Sequence, residues 1–325
     1  MHLALNTVKL TRSLLIAGVL SASASSFGAA VHMAGIADFY QHQKSSQGTY
    51  PGTDPFKTDP LPAPLKPAYD NKNWWENDGG WCLTTAWTDT LYYWSQKNAP
   101  NLFDHTAMGA EHKGKSWLDR FNYMNEDLAI IAGARFGGTV PTTTGGACAN
   151  DADVRTYASK YGYTATIDTY QYQAGSGRIG KFPDGAASGT LLPAATTMLD
   201  IMNTALGAGK TVVMIMEGTV AGAWWSGSFH AVALEGIDGS KLYYADPNNT
   251  PAGANWGVPY KDTDKLPVGA DASFDNSTLK ADGRTWDGGT FNGSALTELY
   301  VMSVPTPGTI LLSGMGGFLA LRRRR

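Results

Sequence analysis

Charge is sparse in this 325-residue chain: Asp, Glu, Lys and Arg make up 16% of it, and the formal net charge is −3. A balance so close to neutral offers no basic surface for nucleic-acid phosphates and no polyanionic tail, so no nucleic-acid partner is expected. Cysteine is scarcer still, with two residues, Cys82 and Cys148. They leave room for one structural disulfide or for a working thiol. The nearest approaches to metal-ligand spacing, Asp104-His105 and Glu111-His112, lack a second ligand pair at zinc spacing. Neither a metal nor an organic cofactor is therefore expected. No internal repeat divides the chain. What is abundant is apolar and small: 43% hydrophobic residues, 38 Gly and 10 Trp, a globular composition rather than a disordered one.

Both ends carry patterned segments. Lys9 and Arg12 precede a short apolar core, Leu14 to Leu20, and then Ala22-Ser23-Ala24. This is the order of a secretory signal, with a second cleavage option near Ala29-Ala30. The apolar core falls well short of the roughly 20 residues that span a bilayer. At the other end, Val304-Pro305-Thr306-Pro307 leads into a mostly apolar run, Gly308 to Leu321, and then into Arg322 to Arg325. That arrangement resembles a PEP-CTERM sorting signal, with Thr306 where glutamate is usual. The resemblance implies transient membrane contact through the tail, with the arginines on the cytoplasmic side. It also implies a C-terminal sorting or processing enzyme as partner, and export to the surface or extracellular matrix of a bacterium.

Four segments are expected: residues 1–30 as the signal, 31–67 as an extended N-terminal arm, 68–303 as one folded domain, and 304–325 as the sorting tail. The stretch from Gln41 to Pro67 in the arm has six prolines and no helical period. Within the domain, Leu83, Trp87, Leu91 and Trp94 make one apolar stripe and predict a helix from Cys82 to Lys97. Weaker helical patterns cover Ser116 to Asp127 and Asp151 to Tyr161. A further helix is expected from Ala194 to Leu206, closed by Gly207 and Gly209. Thr211 to Met216 reads as a buried strand. Ala231 to Ile237 and Lys241 to Ala245 read as a hairpin around Asp238-Gly239-Ser240. Residues from Asn249 to Gly293 read as long loops around short strands, and Leu296 to Val304 as a last strand. Helices first and a His-bearing antiparallel sheet last make an α+β layout in two layers, with a cleft between helix and sheet.

The chemistry follows from what a thiol needs. A nucleophilic cysteine must be a thiolate, and a helix N-terminus and a neighbouring imidazolium both favour that form. Cys82 opens the first predicted helix, where the macrodipole is positive. Of the six histidines, His2 lies in the signal, His32 and His42 in the arm, and His105 and His112 in polar loops. His230 opens a strand in the sheet. An imidazole paired with a thiol needs a third group to orient it. Asp246 ends the next strand, and Asn248 follows two residues later. Structural readings exist for each residue. Cys82 pairs with Cys148 in a disulfide, as an exported chain with an even cysteine count allows. His230 is a hydrogen-bonded core residue, Asp246-Pro247 a turn, and Lys72 a solvated lysine. Trp74, Trp75, Trp224 and Trp225 fit core or interface packing as well as substrate contact.

The run Tyr69-Asp70-Asn71-Lys72, ten residues ahead of Cys82, and an aromatic-ended helix after it resemble the immunoglobulin-degrading, IdeS-type cysteine endopeptidases. So do the block from Met198 to Glu217, the run His230-Ala-Val-Ala-Leu-Glu-Gly, and Tyr244-Ala245-Asp246-Pro247-Asn248. The resemblance touches residues 69–249 in patches. It implies a papain-like fold, with an N-terminal helix carrying the cysteine packed on a C-terminal antiparallel sheet carrying the histidine. It also implies hydrolysis of a protein or peptide substrate. In that reading Cys82 is the nucleophile, His230 the base and then the acid, and Asp246 the orienter. Lys72 is an oxyanion donor beside the Cys82 backbone N–H, and Asn248 stands where the family has a second acidic residue. Two alternatives use the same layout: a transglutaminase-like acyltransferase, and a non-catalytic surface or matrix protein.

Overall fold

The order of apolar segments along the chain dictates one sheet with helices laid on it. The computed structural model describes residues 30–38, 82–103, 124–125, 127–128, 131–132, 149–173, 189–218, 229–247, 274–289 and 291–305. Strand β1 (Val31–His32) comes first, followed by helix α1 (Cys82–Lys97), α2 (Asp151–Lys160), β2 (Thr166–Gln171) and β3 (Thr190–Leu191). Then come α3 (Met198–Gly207), β4 (Thr211–Glu217), β5 (Phe229–Asp238), β6 (Lys241–Ala245), β7 (Asp275–Leu279), β8 (Trp286–Asp287) and β9 (Ala295–Ser303). The nine strands form one sheet in the order β3-β2-β9-β4-β5-β6-β7-β8, with β1 also paired to β5. The result is a mixed α+β architecture.

The sheet departs from the expected C-terminal antiparallel one in two respects. Strands β2 and β3 are parallel, and β1, β2 and β3 come from earlier in the chain than the expected hairpin. The alternation in Thr166–Gln171, buried at every second position, is the period-two signal of a strand with one face covered. Strand β4 is buried at every position except Glu217. A strand buried at successive positions has both faces covered, so two layers do not describe the centre of the sheet. Helix α1 packs on β5 and β4, and α3 contacts β4, β9 and β1.

Helix α1 has the predicted bounds, but it is buried on more than its apolar stripe: Thr84, Thr85, Thr88, Asp89, Thr90 and Ser95 are buried with it. Short hydroxyl side chains make this possible because they return their donors to the helix itself. Thr88 Oγ1 donates to the Thr84 carbonyl at 2.8 Å, Thr90 Oγ1 to that of Trp87 at 2.8 Å, and Ser95 Oγ to that of Tyr92 at 2.6 Å. The two stripe tryptophans find acceptors across the core. Trp87 Nε1 donates to the Ala149 carbonyl at 3.2 Å and Trp94 Nε1 to Thr211 Oγ1 at 3.0 Å. These bonds offset the cost of burying an indole N–H, about 1–3 kcal/mol each when unpaired. They also fix the axial position of the helix that carries Cys82.

Helix α3 starts at Met198 rather than at Ala194. The preceding turn places Ala195 at φ 61°. A capping box between Thr197 and Asp200 then sets the start, where each residue's side chain accepts from the other's backbone N–H. The expected arm from residue 31 begins inside the fold. Val31 and His32 pair with Ile237 and Gly236, and Met33, Ile36 and Ala37 are buried. Gly236 permits that approach: a Cβ there would lie 2.9 Å from the Val31 carbonyl oxygen. Apart from Ala30, Val304 and Pro305, the signal and tail segments lie outside the described residues, as do the rest of the arm and most of the Ser116 to Asp127 pattern; Val304 is buried in the core.

Candidate active site

The β5–β6 hairpin brings two of the expected site residues, His230 and Asp246, side by side. His230 is the second residue of β5, and the Asp-Gly turn gives Gly239 φ 63°, which closes β5 onto β6 with Ala245 opposite Ala233. Asp246 follows at the strand end, and His230 Nε2–H donates to its Oδ1 at 2.7 Å. The side chains of the two residues are 2% and 6% exposed, so the bond is shielded from bulk water. With Nε2 engaged, Nδ1 is the nitrogen left for the thiol.

Cys82 supplies that thiol from the first position of α1. It carries no disulfide, so the alternative of a Cys82–Cys148 bridge does not hold. Cys148 itself lies outside the described residues. Cys82 lies close enough to His230 and to the Ala231 backbone N–H for both to act on its thiol. Burial pushes the thiol pKa up, and the Asp246 charge adds to that. The hydrogen bond and charge of His230, with the Ala231 N–H, outweigh both and hold it below its ordinary value. For His230, burial pushes the pKa down, but the charge and hydrogen bond of Asp246 and the contacts with Cys82 raise it to about 10. A lowered thiol beside a raised imidazole favours the thiolate–imidazolium form of the pair over the neutral one.

The thiolate form of cysteine is the nucleophilic one, and an imidazolium beside it holds a proton ready for a leaving group. The Ala231 amide was not among the expected site residues. Its role is visible only once α1 is seated on β5, because the two small residues Ala231 and Ala233 in the sheet give no sequence signal of their own. Lys72, Asn248, His105, His112 and the tryptophans at 74, 75, 224 and 225 lie outside the described residues. Compared with protein-family models and with curated proteins, the chain matches none.

Proposed function

We propose that the chain is an exported, papain-like cysteine endopeptidase of the IdeS type, hydrolysing peptide bonds through an acyl-enzyme at Cys82. One observation carries the reading. A disulfide-free cysteine at a helix start lies beside a histidine that is held on one ring nitrogen by a buried aspartate. In the reaction, the Cys82 thiolate attacks the scissile carbonyl carbon, and a C–S bond forms as the carbonyl oxygen becomes an oxyanion. The oxyanion collapses, the C–N bond breaks, and His230 gives its Nδ1 proton to the departing amine. The neutral imidazole then takes a proton from water as that water attacks the thioester. The acid product leaves and the thiolate–imidazolium pair is restored. Asp246 keeps the imidazole oriented throughout. In the family's register, Lys72 and the Cys82 N–H stabilise the oxyanion. The terminal segments belong to the same reading: a removable export signal and a sorting tail that deliver the enzyme to the cell surface or matrix.

The test is covalent capture. An epoxide inhibitor of cysteine peptidases should modify the mature protein once, at Cys82, and block its cleavage of an unfolded protein substrate. His230→Ala should lose the labelling. No modification of folded protein at neutral pH would leave a non-catalytic surface protein. Labelling accompanied by amine incorporation into the substrate, without new peptide termini, would assign an acyltransferase.

A further inference from the structure

Behind the histidine stands an aromatic wall that the mechanism above does not use. Tyr244 on β6, Trp286 on β8 and Phe291 lie mutually 5.3 to 5.7 Å apart between ring centroids. Phe291 also meets the His230 ring at 5.4 Å, with an interplanar angle of 40°. Phe291 is 1% exposed and Trp286 0%. Offset, tilted aromatic contacts at such separations are attractive and directional.

Phe291 is not on a strand. It sits in the reversal between β8 and β9, and that reversal is held at both ends. Trp286 N–H donates to the Ser294 carbonyl at 2.9 Å, Gly293 N–H to that of Trp286 at 2.9 Å, and Ser294 N–H to that of Phe291 at 2.9 Å. Gly288 N–H donates to Asn292 Oδ1 at 3.0 Å, and Ser277 Oγ to the Gly288 carbonyl at 3.0 Å. Gly288, Gly289 and Gly293 all take positive φ, at 90°, 68° and 80°, which side chains other than glycine's resist. A Cβ on Gly289 would also lie 3.3 Å from Ser277 Oγ. A loop bonded this closely, with one large apolar side chain turned into the interior, serves to place that side chain.

We propose that Phe291 is a positioning residue for His230: its ring holds the imidazole plane in line with both Cys82 and Asp246 and keeps water from the His230–Asp246 bond. The inference rests on the thiolate–imidazolium reading of the site. A His that donates through Nε2 to one partner and serves a thiol through the other nitrogen has one useful rotation, and a tilted ring packed against it hinders the others. The titratable groups around this arrangement are Cys82 from α1 and Asp246 after β6. Asp275 on β7 acts through its effect on Tyr244. Letting water in weakens the attractions that lower the thiol and raise the imidazole, so both groups move toward their ordinary values.

The test follows the pH dependence of Cys82 alkylation by iodoacetamide in the full chain, read by mass spectrometry, so no substrate is needed. The parent should show its acid-side inflection below the ordinary thiol range. In Phe291→Ala, and in Phe291→Leu where apolar volume is largely kept, the inflection should rise by about one unit, slowing alkylation at the acid end about tenfold. If Phe291→Ala does not fold, Phe291→Leu decides. Trp286→Phe, which alters the wall without touching the imidazole, should lower the melting temperature and leave the profile in place. Profiles of the Phe291 variants that superimpose on the parent's would overturn the positioning role alone. A parent with an ordinary thiol inflection would overturn both this inference and the reading beneath it, because no imidazolium would be there to position.

Discussion

Strand β5 carries two histidine–carboxylate pairs of nearly equal length, and they are built for different ends. At its start, His230 is 2.7 Å from Asp246, with side chains 2% and 6% exposed. Further along, Glu235 accepts from His32 Nδ1 at 2.8 Å, with the histidine side chain 44% exposed. The first pair touches a thiol and an aromatic ring. The second ties the short strand β1 to the sheet, with the His32 ring 5.0 Å from that of Tyr243. If the first pair serves the proposed chemistry, distance does not separate a reacting pair from a fastening one. Burial and neighbours do: water screens a charge pair that it can reach, while enclosure preserves the field that makes a thiolate.

The comparison breaks most sharply at the thiol. Cys82→Ala should lower hydrolysis by at least about 10⁴-fold, since removing the nucleophile leaves only binding and oxyanion stabilisation. The fold should be retained, because a small side chain is replaced by a smaller one, and circular dichroism with a melting curve checks this. A variant that still cleaves at the parent rate would move the chemistry away from this end of β5.

The orienter comes next. Asp246→Asn keeps the shape but loses the charge, and turnover should fall by about 10²–10⁴. The same variant sharpens the pH argument. The His230 pKa is raised to about 10 from an ordinary 6.5, so its contribution to folding stability is fully present below about 6.5 and is lost as pH rises through about 10. Activity, which needs the imidazolium, should fall along the same basic limb. Asp246 charge is the leading upward influence, so Asp246→Asn should move that limb to lower pH. Rate profiles between pH 5 and 11 would show it, and a limb that stays in place would detach Asp246 from the histidine. Lys72→Ala follows, with turnover down by about 10²–10³ and binding less affected if the lysine donates to the oxyanion. A change within twofold would leave it a solvated surface residue and weaken the family resemblance.

The elements that were legible in the sequence are those whose cause is local. Helix α1 keeps the bounds set by Leu83, Trp87, Leu91 and Trp94, and the Asp-Gly turn closes the hairpin that, with a register shift between Leu234 and Gly236, carries Asp246 to His230. Where a second local signal competed, the boundary slipped. Ala194-Ala195-Thr196 favours helix by composition, but the Thr197–Asp200 capping box starts α3 later. What was not legible depends on residues far apart in the chain. The His32–Glu235 contact joins positions 203 apart, and nothing in Val31-His32 announces a strand. Phe291 sits among glycines that read as loop, and its place against His230 follows only from the closure of β8 onto β9. Strand β2 shows its alternation, but a short polar strand carries a weak signal.

The smallest effect expected is at the fastening pair, and it is the one that tests the comparison from the other side. His32→Ala removes a charge-assisted bond to Glu235 and a tilted ring contact with Tyr243. The imidazole is nearly half exposed, so screening keeps the pair's contribution within about 1 kcal/mol. Strand β1 should remain docked, because Met33 N–H still donates to the Glu235 carbonyl at 2.7 Å and Met33, Ile36 and Ala37 stay buried. Hydrolysis should stay within about twofold of the parent, as for a substitution away from the site. Urea unfolding and turnover measured on the same preparation separate the two quantities. A loss of turnover with stability unchanged would mean that the two ends of β5 are coupled. The His32–Glu235 pair would then belong to the active site, and burial would no longer account for the difference between the two pairs.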